Sequence, residues 1–340
     1  MKKIIAAALI LAAAVTVIPV IPARMARNSR NNAEPQYLAN ETAKDAMADI
    51  NADKKYSAEP YEVFNIEGSE VLKVPVRDYV IGAVCAEMPA SFEVEALKAQ
   101  AVAAHTYAER QRLREKESPT PELCGADFSN DTSKYQGFFT IEQAKERMGD
   151  KFADSYEKIA NAVDEVLPYI ITYDNTPIIA AFHSMSSGFT ESAENAWGSP
   201  VEYLVEVDSR SDLTAPKFRE DKRFTEEEMK SALEAAFPDI TLDSSPSEWI
   251  VPLTISDAGT VLTANAGNIS CTGNDIRAAL SLRSAAFDVR FECGEFVITT
   301  KGFGHGVGMS QYGANAMAAD GKSWKEILEH YYPACSISIS

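Results

Sequence analysis

Short apolar runs alternating with helical periodicities organise the chain from Tyr61 onward. Tyr61 to Val74 reads as one or two strands around a Glu67-Gly68-Ser69 turn. Pro75 opens a helix running to Met88, and Pro89 stops it. A second helix, from about Phe92 to Glu117, places Leu97, Ala101, Ala104 and Ala108 on one face, small enough for another element to pack closely. Thr140, with Gln143 at capping-box spacing, introduces a helical insertion over Ile141 to Leu167. Tyr169–Tyr173 and Ile178–Ser184 then flank Asp174-Asn175-Thr176-Pro177 as a hairpin, and Thr225 caps a helix that ends at Pro238. Trp249–Ser256 pairs with Val261–Ala266, Asn274–Leu280 is a short helix, and Ala286–Phe291 pairs with Phe296–Lys301. One helix follows Gly308 and another follows Ser323, which has Glu326 at capping-box spacing. Strand pairs interleaved with helices, without regular βαβ alternation, indicate an α+β fold. The expectation is one large domain over 61–340 carrying helical insertions.

The first residues follow another pattern. Lys2 and Lys3 precede an uncharged, mostly apolar run from Ile4 to Ala23, and Arg24, Arg27 and Arg30 follow it. The run is long enough to cross a bilayer as a helix and exceeds the usual signal-peptide core, which favours a single membrane anchor over residues 1–23. Cleavage at a small-residue site is the alternative. Basic residues on both flanks leave the positive-inside rule nearly balanced, so charge does not set the orientation. Residues 24–60 are polar, lack a sustained apolar pattern, and read as a flexible tether spanning roughly 30–40 Å by random-coil scaling.

Composition narrows the partners. Of 340 residues, 46% are hydrophobic, ordinary for a globular protein, and the formal net charge is -18. That balance argues against nucleic-acid binding, which needs surplus Lys and Arg to neutralise phosphates. An uncharged sugar backbone, gripped by hydrogen bonds and stacking, fits better. The five cysteines, Cys85, Cys124, Cys271, Cys293 and Cys335, form neither a disulfide framework nor a CxxC zinc pair. They read as free thiols, with Cys271–Cys293 the one conceivable bridge. The histidines His105, His183, His305 and His330 lack metal-site spacing, so no required metal or cofactor is expected.

Three segments are candidates for chemistry. Val80, Val84 and Glu87 share one helical face, at offsets of four and seven. A carboxylate on an apolar stripe at a helix carboxyl end loses hydration and meets the negative end of the dipole, and both raise its pKa. A general acid working near neutral pH requires that rise. The bland alternative is a helix-end Glu in solvent. The second segment, Phe182 to Glu191, runs from an apolar strand into His183, Ser184, Ser186, Gly188 and Thr190, as strand ends that deliver polar groups to a cleft do. It lacks a G-x-S-x-G elbow, which disfavours a serine nucleophile. The third, Lys301 to Ala314, sets His305 among four alternating glycines and continues through Ser310, Gln311 and Tyr312. It has neither phosphate-loop spacing, so it suits sugar hydroxyls and amides better than nucleotides. A tight structural crossing is the alternative for its glycines.

Together these segments resemble the stage II sporulation protein D and amidase-enhancer family over roughly Glu62 to Pro333. Val76-Arg77-Asp78-Tyr79-Val80-Ile81-Gly82 through Ala86-Glu87-Met88-Pro89 looks like its opening block, and Glu95 to Tyr107 is similar to its Ala-rich helix. His183 to Thr190, with Trp197, Tyr203 and Leu204, matches a central block, and Thr272-Gly273-Asn274-Asp275-Ile276-Arg277 with Leu282-Arg283-Ser284 a later one. Gly304 to Ala314 is the most specific stretch. The resemblance implies a lytic transglycosylase acting on peptidoglycan strands stripped of stem peptides, with Glu87 as catalytic acid. It implies a cleft lined from among Gln100, His105, Tyr135, His183, Ser184, Ser186, Gly188, Thr190, His305, Gln311 and Tyr312. It further implies an extracytoplasmic domain tethered to the mother-cell membrane in the intermembrane space during engulfment. The implied partners are the sporulation amidase-endopeptidase, stage II protein P, and stage II protein M. Two departures stand out. His105 replaces the usual Arg, and Cys124 lacks the companion ligands of the metal cluster that some members carry.

Overall fold

The computed structural model describes residues 59–340. The apolar run Ile4 to Ala23 and all but the end of the 24–60 segment lie outside the described residues. No helix of the described residues is long and apolar enough to cross a membrane.

The chain opens with the antiparallel pair β1 (Tyr61–Asn65) and β2 (Glu70–Val74). Helix α1 (Val76–Glu87) follows, its first turn set by Pro75 with φ -53. It ends because Met88, the residue before Pro89, is extended at φ -129 and ψ 135, as crowding by a following proline ring dictates. Helix α2 (Val94–Glu117) is the axis of the molecule. Its run from Ala96 to Thr106 is buried on every side, and only a helix built largely of alanine can be surrounded so closely. Strand β3 (Phe128–Ser129) pairs in parallel with β1.

The expected helical insertion over Ile141 to Leu167 is two helices, α3 (Ile141–Met148) and α4 (Phe152–Val166). Gly149, at φ 57, breaks the run between them. Arg77 donates to both carboxylate oxygens of Asp164, at 2.7 and 2.9 Å, and so clamps α1 to α4. This clamp fixes the helix that carries Glu87.

The expected Tyr169–Ser184 hairpin is only half realised. Asp174 and Asn175 adopt left-handed angles in a tight turn, but β4 (Tyr169–Tyr173) pairs with just Thr176–Pro177, strand β5. Pro177 has no N–H to continue the ladder. The chain then peels away, and β6 (Phe182–His183) pairs in parallel with the much later β13 (Met309–Ser310). The free edge of β4 is taken instead by the terminal strand β14 (Ser336–Ile339). Short helix α5 (Ala193–Trp197) follows β6.

A second body of structure comes next. Strand β7 (Arg219–Thr225) leads into α6 (Glu226–Ala236), then β8 (Ile250–Ile255), β9 (Val261–Ala266) and β10 (Ile269–Cys271), helix α7 (Gly273–Leu280), and β11 (Phe287–Glu292) with β12 (Glu295–Lys301). Both expected hairpins are present, each with an added strand: β10 beside β9, and β7 beside β12. Met229, Leu233, Trp249, Phe287, Phe296 and Ile298 gather in an apolar cluster separate from the one around α1 and α2. Helices α8 (Gln311–Ala319) and α9 (Trp324–Tyr331) return to α2. Capping boxes at Thr140, Thr225, Thr272 and Ser323 start α3, α6, α7 and α9. All five cysteines are free thiols, so the Cys271–Cys293 bridge does not form.

Gly82 marks the tightest approach on α1. A methyl there would land inside the van der Waals shell of the Phe139 carbonyl, whose N–H donates to the Gly82 carbonyl at 3.0 Å. Gly82→Ala is therefore expected to cost about 2–3 kcal/mol, because backbone cannot step aside as a side chain can. A thermal melt unchanged from the native chain would refute this close-packing account.

Candidate active site

Glu87 is the last residue of α1, and the stripe that leads to it, Val80 and Val84, is fully buried. The Glu87 side chain is half-buried, open to solvent on one side. Burial by the surrounding protein pushes its carboxyl up to about 7. Among the described residues no cation or hydrogen-bond donor meets it, which is unusual for a carboxylate so placed. Tyr79 lies close enough to feel its charge and keeps a buried hydroxyl without a partner.

The glycine loop is explained first by packing. It crosses the Phe182–Glu191 segment, with Met185 and Phe303 exchanging backbone hydrogen bonds at 3.1 and 2.8 Å and Glu191 N–H donating to Gly306 O at 2.7 Å. Gly304 adopts φ +117 and its missing Cβ would collide with that of His183; Gly308, at φ +72, would collide with the Ala181 carbonyl. Chain meets chain here, so the crossing alternative accounts for these glycines.

The crossing also stacks aromatic groups. The rings of His183 and His305 lie 5.8 Å apart, and Trp197 lies 5.7 Å from His305. His183 Nδ1–H donates to Val307 O at 3.1 Å, while His305 Nδ1 accepts from Val307 N–H at 3.1 Å. These partners fix opposite tautomers. Burial lowers His183 to about 4 and His305 to about 3, so both stay neutral at physiological pH. His183 is fully buried, and His305 and Trp197 are partly buried.

Gln100 on α2 and Gln311 at the start of α8 meet, with Gln311 Nε2–H donating to Gln100 Oε1 at 3.4 Å. The Gln100 side-chain amino group is left buried and unpartnered among the described residues. Tyr312 packs edge-on to Phe92, ring centroids 5.1 Å apart. Both rings line a cleft of about 450 Å³ with Pro89, Ser91, Ser211 and Asn315, which begins two residues beyond Glu87. The backbone of Ser184 accepts from Tyr312 N–H at 3.0 Å, tying the central segment to α8.

Other expected cleft residues serve the fold. His105 is buried, its Nδ1 3.2 Å from the Tyr169 carbonyl and its Nε2 3.7 Å from Glu109, so it joins α2 to β4. Ser186, Gly188 and Thr190 are buried in a turn. Gly188 N–H donates to Ser186 Oγ at 3.1 Å, and Thr190 Oγ1 donates to Val205 O at 3.2 Å and accepts from Val207 N–H at 2.9 Å. No hydrogen bond among the described residues joins Ser186 to His183, so the serine-nucleophile pair is not assembled. Tyr135 is half-buried near Glu115 and Arg114, toward the far end of α2. No group of described residues has the makings of a metal site. Burial pushes the Cys85 and Cys335 thiols up to about 12, which leaves them poor nucleophiles.

Sequence reasoning missed Asp212 entirely. It is fully buried and accepts from Ser186 N–H at 2.8 Å, Ser209 Oγ at 3.0 Å and Ser310 Oγ at 2.8 Å. Ser209 also bonds Tyr331 at 2.8 Å. Ser310 in turn caps α8, accepting from Gly313 N–H at 3.1 Å. No local motif surrounds Asp212, so only its partners in space disclose it.

The sequence has clear relatives among known proteins. A family model described as stage II sporulation protein matches residues 66–173. Stage II sporulation protein D of Bacillus amyloliquefaciens is 36% identical over 325 residues, covering 95% of this chain and 91% of that protein. The protein of the same description from Bacillus subtilis is 38% identical, covering 81% of this chain and 78% of its own length. The amidase enhancer of Bacillus subtilis is 26% identical over 76% of this chain and 40% of its own length. With 36% identity sustained over nearly the whole of this chain and of the Bacillus amyloliquefaciens protein, the chain belongs to the stage II sporulation protein D family.

Proposed function

We propose that this chain is a lytic transglycosylase that cuts peptide-free peptidoglycan strands during sporulation, with Glu87 as its one proton carrier. The observation that carries the reading is the half-buried, unpartnered carboxyl held protonated to about pH 7. Such a group gives a proton to the glycosidic oxygen as the C1–O bond of the muramic acid unit breaks. The carboxylate so formed then takes the proton from that sugar's own 6-hydroxyl, whose oxygen bonds to C1 and closes a 1,6-anhydro ring. The proton returns to Glu87, and no water is consumed. A hydrolase would need a second carboxylate, whereas here the attacking hydroxyl is already part of the substrate. The 2-acetamido group stabilises the charge between the two bond events.

The Gln100–Gln311 pair supports the same reading, because a buried amide donor without a partner suits a sugar hydroxyl or acetamido oxygen. Tyr312 and Phe92 offer aromatic faces in the adjoining cleft. In this reading the apolar run at residues 4–23 anchors the enzyme to the membrane, and the domain works beside the amidase stage II protein P, which bares its substrate, and stage II protein M.

Digestion of peptide-free glycan by the full chain, followed by mass spectrometry, tests the chemistry. Anhydro-muramic ends, lighter by one water than reducing ends, are the expected products. Reducing ends would make it a muramidase instead, and uncut but bound strands would make it a glycan-binding enhancer.

A further inference from the structure

Arg277 is one of the half-buried cations among the described residues. It lies on α7 three residues after Asn274, whose side-chain amide donates to Ala196 O at 3.2 Å, next to Trp197. That spacing puts Arg277 on the same face of the helix, toward the Trp197–His305 pair. The chain after α7 returns to the same place, with Gly304 N–H donating to Arg283 O at 3.0 Å. The guanidinium is half-buried, and its hydrogen bond is a long one from Nε to Leu282 O at 3.4 Å. No carboxylate pairs with it among the described residues, although the chain carries 50 Asp and Glu against 32 Lys and Arg. Burial disfavours its charge, and that charge reaches both His183 and His305. A half-buried cation without a carboxylate partner, near two partly buried aromatic rings, is a place for an anion carried on a sugar.

We propose that Arg277, Trp197 and His305 form a subsite for the free carboxylate of a sugar acid: the lactyl carboxylate that muramic acid exposes once its stem peptide is removed. The inference rests on the glycan reading above and sharpens it. Trp197 and His305 supply the platform for the sugar ring, and the guanidinium fork takes both carboxylate oxygens. A peptide-bearing unit presents a neutral amide at that position, which offers one acceptor oxygen and no charge. Selection for stripped strands is then a property of this subsite and not of the reacting carboxyl.

Affinity measurements on the full chain carrying Glu87→Gln, which holds strands without consuming them, test the subsite. The probes are peptide-free glycan strands and the same strands with lactyl carboxylates converted to methylamides. Amidation is expected to weaken binding roughly tenfold or more, as loss of a charge-assisted pair does. Adding Arg277→Gln is expected to remove the difference between the two probes, and Arg277→Lys to restore part of it. Equal binding of the two probes before any change at Arg277 would overturn the subsite, and that comparison needs no variant there to fold. A loss from Arg277→Gln of the same size on both probes would overturn it too. In both cases strand cleavage by the native chain would still stand. If the native chain neither cuts nor binds glycan, the reading and the subsite fall together.

Discussion

Glu87→Gln is expected to slow the cutting of peptide-free glycan roughly a thousandfold while the strands still bind, because positioned general acids contribute about 10²–10⁴ to a rate. The amide keeps the size of the side chain and removes the transferable proton. The native pH profile should carry the signature of the same group. With the carboxyl near 7, the protonated fraction falls about tenfold per pH unit above that point, and kcat/KM should fall with it. Stability should fall with rising pH as well, but at lower pH than activity. The folded chain keeps the Glu87 proton between about 4.5 and 7, where the unfolded chain has lost it, so rising pH through that window destabilises the native chain. Glu87→Gln escapes this penalty. It should be the more stable protein above pH 7, by up to ~3 kcal/mol, and show no such advantage at pH 4. A variant that cuts at the native rate, or that is no more stable than the native chain at pH 8, would remove Glu87 from the mechanism.

The raised carboxyl was legible in the sequence because its cause, burial, follows from a local pattern: Val80, Val84 and Glu87 share one apolar helix face. The capping boxes were legible for the same reason. Strand β7 was not, because Arg-Glu-Asp-Lys-Arg-Phe-Thr is exposed along most of its length and shows no apolar alternation. Its place is fixed by the edge of β12, not by its own side chains. The Phe182–His183 strand was misassigned to a hairpin because its partner lies far along the chain in the glycine loop. Gln100 and Gln311 lie 211 residues apart, and their meeting depends on α8 returning to α2. The burial of His105 and its contact with the Tyr169 carbonyl, which hold α2 to β4, likewise depend on packing that its place in the Ala-rich helix does not disclose.

Asp212→Ala is expected to be the most damaging single change outside Glu87, lowering stability by about 3–5 kcal/mol and the melting temperature by on the order of 10 °C. The carboxylate holds three donors that no solvent reaches: the Ser186 amide and the Ser209 and Ser310 hydroxyls. Alanine leaves the amide stranded, since a backbone N–H cannot turn to find another acceptor, and leaves a cavity beside the hydroxyls. Asp212→Asn should lose much less. Its oxygen can keep the Ser186 amide while its amino group donates to Ser310 Oγ, which has a lone pair to offer. The functional consequence runs through Ser310, whose hydroxyl caps α8 by accepting from Gly313 N–H. Once Ser310 is released, the first turn of α8 is free to shift, and with it Gln311 against Gln100 and Tyr312 against Phe92. Activity of Asp212→Ala, measured well below its melting temperature, should therefore fall further than the folded fraction, and chiefly in KM because Glu87 sits on another helix. An Asp212→Ala chain that melts within a degree of the native protein, or that loses activity only in proportion to unfolding, would show that α8 is held in place by other contacts.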